Sequence, residues 1–256
     1  MLLHVAFHPS LLPTGAVAPL PVDRKQLCIV IDVLRASTSL ITLVERGAGL
    51  VYIAGGVQQA RGAARTVEGA LLAGEAAGLA PEGFDLGNSP VELSAAAVRG
   101  RSVIFATTNG TAAIRAVHHL GPVLIGAMRN GPALARQVQA MLAGSPMDVT
   151  VVCAGREGGF GLDDAHCAGY LAALLLEQGR FATTDGAEAA LSLYRADPDT
   201  RAVFTRAAAG RNVIGLGLGA DVAFCSERGA SPAVPTLGRE LRLVEESGGS
   251  PRSRKV

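Results

Sequence analysis

Apolar positions along the chain fall into two alternating patterns. Short continuous runs at 27–33, 50–54, 71–75, 102–106, 123–125 and 149–153 read as strands buried on both faces. Segments with helical spacing follow them. These are Ala36 to Arg46, a helix from Val57, then 90–98, a helix running on to His119, Pro132 to Leu142, and 162–178. Leu2 to Phe7 is a further short strand, and a Pro-rich connector through Pro9, Pro13, Pro19 and Pro21 follows it. After Gly179 the pattern is mostly helical to about Ala209, and a short apolar strand is expected near Asp221 to Cys225. Strands alternating with helices imply an α/β class, in α/β/α layers around a largely parallel sheet.

The rhythm breaks once, between Gly78 and Pro90, where Gly, Pro, Asp and Asn dominate and no period survives. A loop this long inside a compact domain is usually functional, and Pro90 is placed to open the next helix. Residues 1–246 are expected to form a single α/β catalytic unit, or two closely packed α/β subdomains. Residues 247–256 are Gly, Ser, Arg and Lys rich and read as a disordered tail.

Composition narrows the function classes. Hydrophobic residues make up 49% and charged residues 18%, which suits a large core. The formal net charge is +1, aromatic residues are 4% and Trp is absent. Neither a basic field nor stacking platforms are available, so no nucleic-acid partner is expected. No run approaches the ~20 apolar residues that span a bilayer, so no membrane partner is expected either. The N-terminus lacks the positive-then-apolar signature of a secretory signal. Cys28, Cys153, Cys167 and Cys225 include no C-x-x-C pair, and three lie in apolar runs, which suits reduced thiols in a cytoplasmic protein. The spacing of His and Cys does not supply a zinc site.

Candidate chemistry sits in loops that follow strands, which in a parallel sheet gather at one edge. The run Leu27-Cys28-Ile29-Val30-Ile31 ends in Asp32 and Arg35. The pair reads equally as a site or as an Asp32 helix cap with Arg35 paired to it on the surface. Thr107-Thr108-Asn109-Gly110-Thr111 opens a helix with hydroxyls, an amide and a glycine, a cradle for an anion, though ordinary N-capping also accounts for it. Ala154-Gly155-Arg156-Glu157-Gly158-Gly159-Phe160-Gly161 leads into Asp163-Asp164. It matches neither a Walker loop nor a dinucleotide fingerprint. Arg156 there can clamp an acid group, and Asp163 and Asp164 suit either a first helical turn or a hard metal. Gly74-Glu75 and Gly83-Phe84-Asp85-Leu86-Gly87-Asn88-Ser89-Pro90 bring two more acids and an amide, which also suit tight turns.

Candidate catalytic groups are therefore Asp32, Arg35, Asn109 and Arg156. Thr107, Thr108, Gly110, Thr111, Asn88, Ser89 and Gly155 are candidates for substrate binding, and Asp32, Glu75, Asp85 and Asp164 for a metal. Arg129 is a further cation available to an anionic ligand.

Taken in order, V-I-D-V-L-R-A-S-T, G-E with G-F-D-L-G-N-S-P, T-T-N-G-T, and C-A-G-R-E-G with L-D-D-A-H-C-A-G resemble the 2-phosphosulfolactate phosphatase family. So do Gly210-Arg211-Asn212, Asp221 to Cys225 and Val234-Pro235, and the resemblance runs from about Val5 to Pro235. Gly161 stands where the family usually has serine, and Ala106 where it often has threonine. The resemblance implies a Mg2+-dependent phosphatase acting on phosphorylated 2-hydroxy acids, chiefly 2-phospho-3-sulfolactate. It implies 3-sulfolactate as product, on the way to coenzyme M, an α/β/α architecture of the family's own, and a homodimer.

Electrostatic stabilisation of the transferring phosphoryl group would then be the main catalytic lever. Water is the favoured nucleophile, with Asp32 as metal ligand or general base. An aspartyl-phosphate on Asp32 is less favoured, because Leu34 stands where haloacid-dehalogenase-type enzymes carry a second Asp. Cys28 and Cys153 lie in apolar strands that would suppress the thiolate. A non-catalytic small-acid-binding protein is the alternative from a different class. A dinucleotide oxidoreductase lacks its glycine fingerprint.

Overall fold

The computed structural model describes residues 1–12, 26–179 and 181–244. Its apolar runs become strands shut in on both faces. All six residues of β2 (Gln26–Ile31) and of β7 (Asp148–Cys153) are buried. They pair in parallel from Gln26 with Asp148 to Ile31 with Cys153. β1 (Leu2–Ala6) joins the far side of β7, and β6 (Val123–Ile125) the far side of β2. The two-residue β8 (Ala182–Thr183) closes a five-stranded sheet of order β6-β2-β7-β1-β8.

The remaining strands form a second sheet instead of extending the first. β3 (Val51–Ala54), β4 (Leu71–Gly74), β5 (Val103–Ala106) and β9 (Leu241–Leu243) take the order β4-β5-β3-β9. Every strand pairing in both sheets is parallel. A strap joins them: Ile125 N donates to Pro235 O at 3.0 Å and Leu237 N to Val123 O at 3.0 Å, beside the first sheet. The chain then enters β9 of the second. One continuous apolar cluster includes Ile29, Ile31, Ile53 and Phe105, all fully buried. Each such side chain contributes about 2 kcal/mol of burial, so the strand ends are held firmly where the loops begin.

The helices are α1 (Ala36–Glu45), α2 (Val57–Ala64), α3 (Pro90–Ala95), α4 (Gly110–Val117), α5 (Gly131–Gly144), α6 (Leu162–Gln178) and α7 (Asp185–Ala196). α8 (Thr200–Arg206), α9 (Ala208–Gly215) and α10 (Gly219–Ser226) complete the set. Pro90 opens α3 as expected, and Ser89 caps it by accepting from Glu92 N at 3.2 Å. The stretch from Gly78 to Ser89 contains no helix or strand.

One expected element is corrected. Asp221 to Cys225 is helical, not a strand. Asp221, Val222 and Cys225 are buried while Ala220 is exposed. That spacing of one and four is a helix stripe too short to stand out from a β run. β8 and β9 went unanticipated because two or three residues carry no readable period. Pro13, Pro19, Pro21 and the expected tail at 247–256 lie outside the described residues. The four cysteines are free and buried, and burial pushes the Cys28 thiol up to about 12.

Candidate active site

The carboxyl ends of four parallel strands, two from each sheet, supply the loops that meet at one cleft. Its lining includes Asp32 and Arg35 after β2, Glu75 after β4, Thr108 and Asn109 after β5, and Arg156 after β7. The cleft has a volume of about 350 Å³, and Ala209, Asn212 and Val213 of α9 form an opposing wall. Loops at the carboxyl edge of parallel strands are where open α/β sheets bind ligands.

Asp32 is bonded lightly. Its Oδ1 accepts from Ala36 N at 3.4 Å, so it touches the first turn of α1 without capping it strongly. Its carboxyl is pushed up from 3.8 to about 7, first by burial and then by the charges of Asp163 and Glu75. The N–H groups of Ala36 and Gly110 oppose the shift. Gly110 permits that approach: a Cβ there would lie 2.8 Å from Asp32 Oδ2 and 2.6 Å from the Ala36 Cβ. The start of α4 can therefore close on Asp32 only with glycine.

Asp163 is also raised, to about 6, chiefly by burial, and Arg156 pulls it back down. Asp164 is raised by burial and by the charges of Asp163 and Asp32. Both of its oxygens are committed, Oδ1 to Val33 N at 2.8 Å and Oδ2 to Gly155 N at 3.0 Å. Asp164 thus staples the loop after β2 to the loop after β7. Gly155, at φ +68°, makes the bend, since a Cβ there would overlap the Gly159 carbonyl. Glu75 does the corresponding job in the second sheet, accepting from Thr108 N and Gly78 N, each at 2.7 Å.

Arg35 does not pair with Asp32. Its Nη1 donates to Asp221 Oδ2 at 2.8 Å and its Nη2 to the Gly78 carbonyl at 2.6 Å. Both side chains of the ion pair are buried. Asn109 stands at the N-cap position of α4 with no side-chain cap bond, which leaves its amide to the cleft. Arg156 is about one-third exposed and pairs with Glu157 at 3.1 Å.

Several sequence candidates lie off the cleft lining. Thr107 and Thr111 bond each other, Thr111 Oγ1 donating to Thr107 O at 2.7 Å, and stitch the start of α4. Ser89 donates to Asp221 Oδ1 at 2.6 Å. Asp85 is exposed and accepts from Leu72 N at 2.8 Å, beside β4. Arg129 is bound by Glu227, 4.0 Å from Glu45 and stacked over Phe224 at 3.8 Å. Asn88 does line the cleft, and its buried Oδ1 has no hydrogen-bond partner among the described residues. Gly161 is the N-cap of α6 and makes no side-chain cap bond.

Among the described residues no three His, Cys, Asp or Glu side chains form a ready metal cluster. A hard cation would therefore need water or substrate oxygens to complete its shell. Mg2+ commonly binds this way, through one or two carboxylates plus phosphate. The donor set fits that pattern. Asp32 lines the cleft with one weak hydrogen bond, and Glu75 lines it beside Asp32 with a lone pair left on each oxygen after the bonds from Thr108 N and Gly78 N.

Sequence reasoning passed over Asp221 as a functional residue, because the run D-V-A-F-C read as a buried strand. Glu157 and Asn212 were also not singled out as site residues. Their only signals were membership of the glycine loop and of the Gly210-Arg211-Asn212 stretch.

A family model described as 2-phosphosulpholactate phosphatase matches residues 17–240. A probable 2-phosphosulfolactate phosphatase of Deinococcus radiodurans is 42% identical over 212 residues, covering 82% of this chain and 87% of that protein. One of Thermus thermophilus is 41% identical over 213 residues, covering 82% and 86%. One of Carboxydothermus hydrogenoformans is 32% identical over 248 residues, covering 96% and 98%. The match along nearly the whole chain agrees with the family expected from the motifs, and the chain belongs to the 2-phosphosulfolactate phosphatase family, an enzyme family of phosphatases.

Proposed function

We propose that the protein hydrolyses 2-phospho-3-sulfolactate to 3-sulfolactate and inorganic phosphate, with Mg2+ as cofactor, and turns over other phosphorylated 2-hydroxy acids less efficiently. The observation that carries this reading is the charge balance of the cleft in a chain of this family. Among the described residues, Asp32, Glu75 and Glu157 share the cleft with only two cations, Arg35 and Arg156, and Arg35 is already neutralised by Asp221. A substrate bearing phosphate, carboxylate and sulfonate would be repelled by that lining unless a cation joined it.

Asp32 and Glu75 would hold the Mg2+. When bound, it supplies positive charge against the phosphoryl oxygens. Arg156 attracts the acid groups, and the amide of Asn109, which makes no cap bond to α4, orients one of them. Arg35 directs its remaining N–H groups at the phosphoryl group. Water attacks phosphorus, the bond from phosphorus to the ester oxygen on the 2-carbon breaks, and the proton given up by the water goes to the leaving alkoxide. A loose phosphoryl transition state asks mainly for positioning and charge, which this cleft provides.

The test is phosphate release from a panel of 2-phosphosulfolactate, 2-phospholactate and 2-phosphoglycerate. The highest kcat/KM is expected for the sulfonate. Equal rates across the panel would remove the substrate assignment, and binding without release would make the protein a small-acid-binding protein. Residues 1–246 act in this reading as one catalytic unit, since both sheets line the cleft. We expect a homodimer in a reduced, cytoplasmic setting, the latter in keeping with four free buried thiols. Light scattering at micromolar concentration should give twice the chain mass; a monomer there would contradict it. Among the described residues no helix is long and apolar enough to cross a membrane.

A further inference from the structure

Arg35 lines the cleft with its charge already spent. Asp221 sits on α10, far along the chain from β2, yet its Oδ2 is 2.8 Å from Arg35 Nη1 with both side chains almost wholly buried. Its other oxygen is fixed as well. Asp221 Oδ1 accepts from Ser89 Oγ at 2.6 Å and more weakly from Val91 N at 3.4 Å. Gly78 O takes Arg35 Nη2 at 2.6 Å. One carboxylate thus ties the loop after β2 to the start of α3, and the guanidinium is held on two sides.

We infer that Asp221 is a positioning residue: it neutralises Arg35 and locks its guanidinium, so that Arg35 contributes oriented N–H groups to the reacting phosphoryl group without acting as a charge that attracts substrate. An unpaired arginine would attract an anion strongly but would keep its rotamer freedom until the anion arrived. A locked one loses little on binding and is already aimed when charge develops. Initial attraction then falls to Arg156, whose partner Glu157 is exposed and readily displaced, and to the cation. The inference rests on the phosphatase reading for its rate effects but not for its binding effects.

The test is Asp221→Asn, which keeps the shape and releases the charge. kcat is expected to fall at least ~10-fold, on the low side of losing one electrostatic stabiliser. Inorganic phosphate, measured by calorimetry, should bind more tightly, because Arg35 regains a free positive charge. An unchanged kcat, or phosphate binding that stays the same or weakens, overturns the inference. A purely structural role would lower the folded fraction while leaving both values per folded molecule unchanged. Should Asp221→Asn fail to fold, Ser89→Ala keeps the ion pair and removes the 2.6 Å bond that steadies it, together with the α3 cap bond to Glu92 N, whose loss lowers stability and not kcat per folded molecule. A ~3-fold loss of kcat with phosphate affinity held is then expected, and no loss overturns the inference. If the wild type releases no phosphate from any substrate, the functional reading fails, while the calorimetric comparison still decides the role of Asp221.

Discussion

Replacing Asp32 by Asn is expected to cost at least ~100-fold in turnover and, at pH 8 without divalent cations, to raise the melting temperature by several degrees. The two effects have one cause. The Asp32 carboxyl is held near 7 against an ordinary 3.8, first by burial and then by Asp163 and Glu75. A group whose folded pKa is raised gives its full stabilisation below the unfolded value and loses it as pH climbs through the folded one. Between pH 4 and pH 8 the folded protein therefore bears a growing cost for an ionised Asp32. Asparagine keeps the shape and removes the cost, so the variant's advantage should shrink as pH falls and vanish near pH 4. Had Asp32 been a simple helix cap, the same change would lower stability and spare catalysis. Melting temperature against pH and kcat on one preparation separate the two.

Stripping divalent cations with EDTA is expected to abolish phosphate release, and Mg2+ to restore it. Among the described residues Asp32 and Glu75 line the cleft without an ion-pair partner, whereas Arg35 is paired with Asp221 and Arg156 with Glu157, so an anionic substrate and the lining would repel each other until a cation intervened. The proton on Asp32 and the cation compete for one carboxylate, which sets the pH dependence. At limiting Mg2+ activity should rise as pH passes through about 7, where that proton leaves. Saturating Mg2+ should displace the proton and move the rise to lower pH. Full activity after exhaustive chelation would contradict the role given to Asp32 and Glu75.

The continuous apolar runs made most of the architecture legible, because a strand buried on both faces leaves a plain mark. β2 and β7 are buried at every position, and the loops after them carry the acids and arginines that the sequence singled out. The division into two sheets was not legible, since a parallel strand carries no mark of which neighbour it will take. Among the candidates, Asp32, Arg35, Glu75, Thr108, Asn109 and Arg156 converge on one cleft. Asp164, Ser89, Thr107 and Thr111 turned inward to brace the loops that carry them. Composition cannot separate these roles: Asp164 and Glu75 each receive two backbone N–H groups, and of the two only Glu75 also lines the cleft. Asp221 was missed for a similar reason: its partner lies 186 positions away, and only folding brings α10 against the end of β2.

Phosphorus NMR of 2-phosphosulfolactate incubated with the protein and saturating Mg2+ tests the central claim most directly. With the wild type, the phosphomonoester signal should give way to inorganic phosphate as sulfolactate accumulates in equal amount, and with Asp32→Asn it should persist. A monoester signal that survives the wild type, or equal turnover by the two proteins, would contradict the account.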